Sequence, residues 1–249
     1  MATQPILSTP LRLPWDEFVT RWYWPQGEHV AIIGPIGSGK STLMRSILEL
    51  RSWVVVLASK KKDSTYDGYL AAGYERIGRW PPPKPKRGQQ YQRTILWPKI
   101  KTVSDLDALG PVFKKCLNDV FVDENWCVGM DDLFYLSQMC RVPKGIGKAT
   151  ETLSKQIAAL NYQVRSMGVT LVSCLQRPAW VPRSTWDQAS HAFIRNLSDI
   201  DDIRTLRGLS KISTRELEVW LNELGVYEWL YLPVARSDRL SPLIVSPPC

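Results

Sequence analysis

One stretch constrains this chain more than any other: Gly34-Pro35-Ile36-Gly37-Ser38-Gly39-Lys40-Ser41 fits the pattern G-x-x-x-x-G-K-[ST] at every fixed position. In such a loop, small residues let consecutive backbone N–H groups turn inward and form a concave nest for anionic oxygens. A helix that begins where the loop ends points its unpaired N–H groups and its positive dipole end at the same anion. Lys40 then reaches the terminal phosphates of a nucleotide, and the hydroxyl of Ser41 becomes a ligand of Mg²⁺.

The residues on either side of this loop supply the context that the motif requires. His29 to Ile33 is a short apolar run, rich in β-branched residues and typical of a buried strand. After the loop, the apolar residues between Thr42 and Leu50 recur at helical spacing. Strand, loop and helix in this order predict a nucleoside triphosphate site. The predicted binding residues are Gly34, Pro35, Ile36, Gly37, Ser38, Gly39, Lys40, Ser41 and Thr42.

Length and composition set the broad class of protein. The 249 residues are 44% hydrophobic, which is enough for a substantial core, and we treat 1–249 as a single domain. No apolar run approaches the ~18 residues of a membrane span. Residues 1–13 have no basic stretch followed by an apolar core, so no signal peptide is predicted. Five cysteines without C-x-x-C spacing and two histidines argue against a disulfide framework or a zinc site, and favour the cytoplasm.

Strands that alternate with helices predict an α/β fold with a mostly parallel central sheet flanked by helices. We expect strands at 29–33, 53–58, 94–97, 126–130, 169–175, 192–195 and 227–232. We expect helices at 14–22, 42–50, 104–121, 149–167 and 214–224. Three segments fall outside this pattern: a loose N-terminal arm (1–13), a basic Pro-rich insertion (76–101) and a mobile Pro-rich tail (241–249).

The charge of the chain is concentrated in the basic insertion. Between Arg76 and Lys101 lie eight lysines and arginines and no acidic residue, which equals the net charge of +8 of the whole chain. Basic residues interleaved with Trp80, Tyr91 and Trp97 suit a phosphate backbone together with base or sugar contacts. The alternative is a solvated, flexible basic loop. The candidate DNA contacts are Arg79, Lys84, Lys86, Arg87 and Arg93.

Hydrolysis of a nucleotide needs carboxylates at the end of a neighbouring strand, and two pairs compete for this place. Asp123 and Glu124 follow an apolar run, but its apolar residues continue a helical stripe that begins at Leu106. Asp131 and Asp132 follow the strand-like run 126–130, which has no helical phase. We therefore assign Asp131 to the Mg²⁺ site and Asp132 to polarising the attacking water. Gln176, which ends the strand 169–175, is a candidate sensor of the γ-phosphate.

These motifs together resemble a known family. The run 168–178 ends in Gln176-Arg177-Pro178 and strongly resembles the sensor strand of FtsK/HerA-type ATPases. The lead-in 26–30, the P-loop, the Asp131-Asp132 strand and the later stretch 196–202 fall in the same order. The resemblance spans about residues 15–209 and looks strongest to compact versions carried by bacteriophages. It implies a RecA-like P-loop ATPase, usually a hexameric ring that uses ATP and Mg²⁺ to pump double-stranded DNA.

The resemblance also assigns roles to residues. Lys40 and Ser41 bind phosphate and Mg²⁺, Asp131 and Asp132 take the positions of the acidic pair, and Gln176 senses the γ-phosphate. The second acid of the family is usually Glu, so Asp132 is one methylene shorter, and slow turnover is expected. Such motors also need an arginine from the neighbouring subunit. The candidates are Arg141, Arg165, Arg177 and Arg183.

Four other functions are alternatives to a DNA motor. An ATP-gated binding or assembly scaffold on DNA or a viral shell is the main alternative, favoured by the short Asp132. A small-molecule kinase would leave Gln176-Arg177-Pro178 unexplained, and an ABC-type ATPase would need an L-S-G-G-Q segment. A GTPase would need [NT]-K-x-D, whereas the chain has a run of lysines at 60–62 before Asp63. For a phage-encoded motor, the expected location is the host cytoplasm, with a viral or replication protein as a further partner.

Overall fold

The computed structural model describes residues 9–82, 92–143, 150–197, 199–206, 212–234 and 241–248. The strands are β1 (Leu11–Pro14), β2 (His29–Ile33), β3 (Trp53–Leu57), β4 (Glu75–Ile77), β5 (Gln92–Leu96), β6 (Cys127–Met130), β7 (Arg141–Pro143), β8 (Thr150–Thr152), β9 (Thr170–Leu175), β10 (Ala189–Ile194), β11 (Trp229–Pro233) and β12 (Leu243–Ser246). The α-helices are α1 (Trp15–Arg21), α2 (Lys40–Leu48), α3 (Ser64–Ala71), α4 (Leu109–Asp123), α5 (Ser154–Gln163), α6 (Ile200–Leu206) and α7 (Thr214–Asn222).

Ten of these strands form one sheet in the order β1-β12-β11-β10-β2-β9-β6-β3-β5-β4. Among the strands described, all members of this sheet except β11 run in the same direction. β7 and β8 form a separate antiparallel hairpin. The prediction of a mostly parallel α/β sheet is therefore confirmed. In this sheet β2, β9, β6 and β3 are parallel neighbours, so their carboxyl ends lie side by side.

The hydrophobic core has two layers, one on each face of the sheet. Alternate residues of β2 belong to different layers: Ala31 and Ile33 face one, and Val30 and Ile32 face the other. Both faces are buried because helices cover both, as expected of a parallel sheet. Within the described ranges, no helix is both long and apolar enough to cross a membrane.

The two termini differ from the prediction. The arm predicted at 1–13 and the mobile tail predicted at 241–249 contain β1 and β12, which pair in parallel at the sheet edge. Leu13 and Val245 are buried there. The prolines that suggested loose structure lie at or beside the ends of these short strands, where a missing N–H is tolerated.

Two internal segments also differ. The basic insertion predicted at 76–101 overlaps two strands of the main sheet, β4 and β5. Residues 83–91, between these strands, lie outside the described residues. The helix predicted at 149–167 begins only at Ser154, after the strand β8. The helix predicted at 104–121 starts as a 3₁₀ segment, Val103–Ala108, and continues as α4, whose first turn contains Gly110 and Pro111.

Candidate functional site

The P-loop connects β2, at the middle of the sheet, to α2. Its backbone bends through left-handed conformations at Gly37 (φ +76°) and Gly39 (φ +89°), which glycine adopts without the strain of a side chain. Gly34 is packed closely, since a Cβ there would lie 2.9 Å from the carbonyl oxygen of Arg195. These glycines shape the loop and start α2 at Lys40, so the amino end of the helix faces the cradle.

Lys40 is only 7% exposed, and its Nζ lies 2.7 Å from the carbonyl oxygen of Pro35, across the mouth of the loop. Burial lowers the pKa of Lys40 below the ordinary value of lysine. A buried ammonium with one carbonyl partner has two further N–H donors available for an anion. The side chain is thus positioned to bind phosphate.

Asp131 lies at the end of β6 and is 4% exposed. Its Oδ1 accepts a hydrogen bond from the hydroxyl of Ser41, and its Oδ2 lies 3.2 Å from Nζ of Lys60. A hydroxyl and a carboxylate oxygen in contact are hard ligands of the kind that Mg²⁺ prefers beside phosphate oxygens. No group of three or more His, Cys, Asp or Glu side chains in the described ranges is arranged to hold a metal by itself. The donors therefore fit a cation shared with phosphate.

Lys60 was not predicted as a site residue. It follows β3, and its Nζ lies 2.7 Å from Asp63 Oδ2 as well as 3.2 Å from Asp131 Oδ2. Burial lowers its pKa, but the two carboxylates raise it by more, so the pKa of Lys60 lies above the ordinary value. The signal in the sequence is its place after a strand next to β6, at the edge where ligands of parallel sheets bind.

The side chains of Asp131 and Gln176 meet the P-loop in one cavity of about 340 Å³, which we call the phosphate cavity. β9, which precedes Gln176, pairs with both β2 and β6, so the three strand ends are neighbours. The cavity is lined by Ile36, Gly37, Gly39, Lys40, Ser41, Thr42, Lys60, Asp63, Thr65, Asp131 and Gln176.

Asp132 lies apart from this group. Its Oδ1 accepts the backbone N–H of Tyr135 at 3.0 Å, so the carboxylate caps the turn that follows β6. It lines a neighbouring cavity of about 420 Å³, which also contacts Lys60. The competing pair, Asp123 and Glu124, lies at the exposed end of α4, in the helix that the periodicity predicted.

The four candidate arginines have different environments. Arg177 pairs with Asp199 at 2.6 Å and with Asp202 at 2.5 Å, and Arg165 pairs with Glu28 at 3.2 Å. Arg141 and Arg183 are exposed. None of the four is among the described residues that line the phosphate cavity.

A fifth arginine, which the sequence did not single out, contacts the P-loop. Arg195 follows β10, is 8% exposed, and donates from Nη1 to the carbonyl oxygen of Ser38 at 3.1 Å. It reaches the loop from a position 157 residues away in sequence. Arg195 thus contacts the loop from the side of β10, whereas Asp131 lies on the opposite side, after β6.

The basic residues proposed to contact DNA are only partly described. Arg79 is exposed. Arg93 instead donates to the backbone carbonyls of Arg51 at 3.0 Å and Glu49 at 2.9 Å, so it ties β5 to the end of α2. Its role as a DNA contact stays a prediction. Lys84, Lys86 and Arg87 lie outside the described residues.

Solved structures with a similar fold include two of a viral packaging ATPase. The DNA-packaging ATPase B204 from Sulfolobus Turreted Icosahedral Virus has a TM-score of 0.59 and 16% identity, over 91% of this chain and 100% of that one. The genome packaging NTPase B204 from Sulfolobus turreted icosahedral virus 2, in complex with AMPPCP, has a TM-score of 0.57 and 14% identity, over 90% and 100%. The chain has the fold of these ATPases.

This ATPase fold extends to a conjugation protein. The pCW3 conjugation coupling protein TcpA, with ATPγS, has a TM-score of 0.52 and 15% identity; 89% of this chain matches 60% of TcpA. No family model and no curated protein matches the chain. The predicted RecA-like P-loop NTPase fold is confirmed, and the resemblance to FtsK/HerA-type ATPases agrees with it at the level of the fold.

Proposed function

We propose that this chain is an ATP-hydrolysing motor of the FtsK/HerA type that translocates or packages double-stranded DNA. The observation that carries the proposal is the phosphate cavity, in which the P-loop, Asp131 and Gln176 meet from three adjacent strand ends. The fold shared with a DNA-packaging ATPase and a conjugation coupling protein supports it.

In the proposed reaction the loop amides and Lys40 bind the β- and γ-phosphates. Ser41 and Asp131 would hold Mg²⁺, which neutralises charge on the phosphate oxygens. Asp132 orients the attacking water, and the amide of Gln176 detects whether the γ-phosphate is present. Loss of that phosphate would change the hydrogen bonding of Gln176 and so pass the signal to β9.

We further propose that the chain acts as a homo-oligomeric ring, most simply a hexamer. A triphosphate site needs a cation opposite the leaving phosphate, and no arginine lines the phosphate cavity in the described ranges. An exposed arginine of a neighbouring copy, Arg141 or Arg183, would complete it. The basic segment around Arg79 would contact the DNA backbone without reading its sequence.

The decisive experiment measures ATP hydrolysis with and without double-stranded DNA, using Lys40→Ala and the matched control Lys155→Ala, an exposed lysine on α5. We expect DNA to stimulate hydrolysis in the wild type and the control. Lys40→Ala should abolish it. An equal rate in all three chains, unaffected by DNA, would contradict the motor.

A second candidate, an ATP-gated scaffold that assembles on DNA with little turnover, is favoured by Asp132. This carboxylate is already bound to the N–H of Tyr135 and lies outside the lining of the phosphate cavity. The variant Asp132→Asn separates the two functions, because Asn caps a turn as well as Asp does. The motor predicts a loss of at least about 100-fold in hydrolysis without loss of thermal stability. Tight ATP binding with negligible turnover in the wild type, even with DNA, would favour the scaffold.

A further inference from the structure

A second cavity adjoins the P-loop on the side opposite to Asp131. It measures about 250 Å³ and is lined, among others, by Ser38, Gly39, Thr42, Arg195, Tyr227 and Trp229. Gly39 and Thr42 also line the phosphate cavity, so the two cavities meet around the first turn of α2. A triphosphate wrapped on the loop would therefore direct its sugar and base toward one of these sides. At about 250 Å³ the second cavity is below the usual range for a whole drug-sized ligand, and suits a single base.

The walls of this cavity are mostly flat and apolar. Trp229, at the start of β11, is 2% exposed, whereas Tyr227 is 58% exposed. Pro247 and Pro248, after β12, contribute to the same lining. Aromatic faces stack on nucleobases with little regard to base identity, since every base has a π-face.

The backbone at Tyr227 is unusual. Its φ is +67°, a left-handed conformation that is rare for a bulky residue. Such strain persists where the surrounding structure enforces it, and it clusters at ligand sites. Here it accompanies an exposed ring beside the cavity, in the turn that leads into β11.

Arg195 supplies the charged group among the residues that line the cavity. Its guanidinium carbon lies 5.6 Å from the ring centre of Tyr227 and 6.0 Å from that of Trp229, while Nη1 binds the Ser38 carbonyl. A guanidinium has five N–H donors, and the Ser38 carbonyl accepts from one of them, so Arg195 has donors left for an acceptor in the cavity.

We propose that this cavity receives the purine base of the nucleoside triphosphate, stacked against Tyr227, with Arg195 donating to a ring nitrogen. N7 is an acceptor in both adenine and guanine, whereas their exocyclic groups differ. A site that combines stacking with a donor to N7 therefore accepts ATP and GTP alike, and it takes pyrimidine nucleotides poorly because they lack N7. This inference rests on the proposed nucleotide hydrolysis and names its substrate class.

The test compares hydrolysis of ATP, GTP and CTP by the wild type, Tyr227→Ala and Tyr227→Phe, with inorganic triphosphate as a competitive inhibitor. We expect Tyr227→Ala to raise KM for ATP and GTP about tenfold with little change in kcat. Tyr227→Phe, which keeps the ring, should retain the wild-type KM. Inhibition by triphosphate should be the same in every variant, because it has no base.

Tyr162→Ala is the matched control, since Tyr162 is an exposed tyrosine on α5 that binds Asp187, and its kinetics should equal those of the wild type. If Lys40→Ala abolishes hydrolysis but Tyr227→Ala leaves KM unchanged, the cavity does not bind the base. The proposed nucleotide hydrolysis is then unaffected. A preference for ATP over GTP of more than about 100-fold would overturn the tolerance for both purines. Equal hydrolysis in the wild type and Lys40→Ala would overturn both proposals.

Discussion

The ammonium of Lys60 lies between two carboxylates, Asp63 and the buried Asp131. It neutralises a buried charge that would otherwise lack a countercharge, which is costly. A cation bound by Asp131 and Ser41 would compete with this ammonium for the same carboxylate. Lys60 and Mg²⁺ are thus expected to oppose each other.

The variant Lys60→Met tests this competition by thermal unfolding. Because Lys60 is half-exposed, we expect a loss of only about 1 kcal/mol, or roughly 2–4 °C in melting temperature. Adding Mg²⁺ with ATP should raise the melting temperature of the variant by more than that of the wild type. Lys61→Met, which removes an exposed neighbouring lysine, should respond as the wild type does. An equal rise in Lys60→Met and the wild type would refute the competition.

Site residues that belong to short motifs were predictable from the sequence, whereas site residues that contact each other across the sheet were not. Lys40 and Ser41 belong to a pattern whose spacing is fixed by the backbone that binds phosphate. Lys60 and Arg195 reach their partners over 71 and 157 residues, and neither has a local pattern. Their roles depend on which strand ends are neighbours, and that requires the order of the sheet.

The helix that follows the P-loop, α2, packs directly against the strand β6. A Cβ at Gly129 would lie 2.8 Å from Leu48 Cδ1 and 3.3 Å from Val56 Cγ2. The absence of a side chain therefore sets how closely the P-loop helix approaches the strand that carries Asp131.

We predict that Gly129→Ala pushes α2 away from β6 and lowers the free energy of unfolding by about 1–3 kcal/mol, as overpacking does. It should also raise KM for ATP, because Ser41 moves relative to Asp131. Urea unfolding and ATP kinetics measure the two effects. Gly78→Ala is the control, since a Cβ there meets no described atom within 4 Å, and a similar loss in that variant would argue against close packing as the cause.

The first residue of β2, His29, makes a pH-dependent contact. His29 is buried, its Nδ1 accepts the backbone N–H of Leu171 at 3.1 Å, and burial lowers its pKa from 6.5 to about 4. Protonation at Nδ1 would break this bond. In the unfolded chain His29 takes up its proton near pH 6.5, so its contribution to stability is complete above that pH and is lost as the pH falls toward 4.

We therefore expect the free energy of unfolding to decrease by up to about 3 kcal/mol between pH 6.5 and pH 4 because of His29. In His29→Asn the amide oxygen can accept the same N–H without titrating, so this part of the decrease should disappear. Urea unfolding at several pH values measures the difference in slope. Parallel curves for the two chains would contradict the assignment.

The central strands were predictable because each is an apolar run of sufficient length, but β12 and the edge strand β1 were not. β12 offers only Leu243, Ile244 and Val245 between prolines, and β1 ends at Pro14. Prolines disrupt the interior of a strand more than its ends, and composition alone does not tell the two apart. The helix predicted at 149–167 failed at its start for a similar reason: β8 is three residues long and, within the described ranges, pairs with β7 alone.

At the scale of the whole molecule, the proposed ring predicts complementation between inactive subunits. Arg141→Ala or Arg183→Ala should lower ATP hydrolysis by roughly 10³-fold if that arginine acts on the neighbouring site. A mixture of such a chain with Lys40→Ala should regain activity, since one chain supplies the intact P-loop and the other supplies the arginine. Steady-state hydrolysis at varied mixing ratios measures the recovery. No recovery with either arginine would contradict this arrangement.

The position of β2 has a consequence for how the chain folds. Its two neighbours, β9 and β10, come more than 130 residues later in the sequence, so the strand that carries the P-loop stays unpaired until most of the chain has been made. Such non-local pairing is slow to form. Arg195, which holds the loop at Ser38, arrives later still. We therefore expect nucleotide binding to be the last property that the chain regains during refolding.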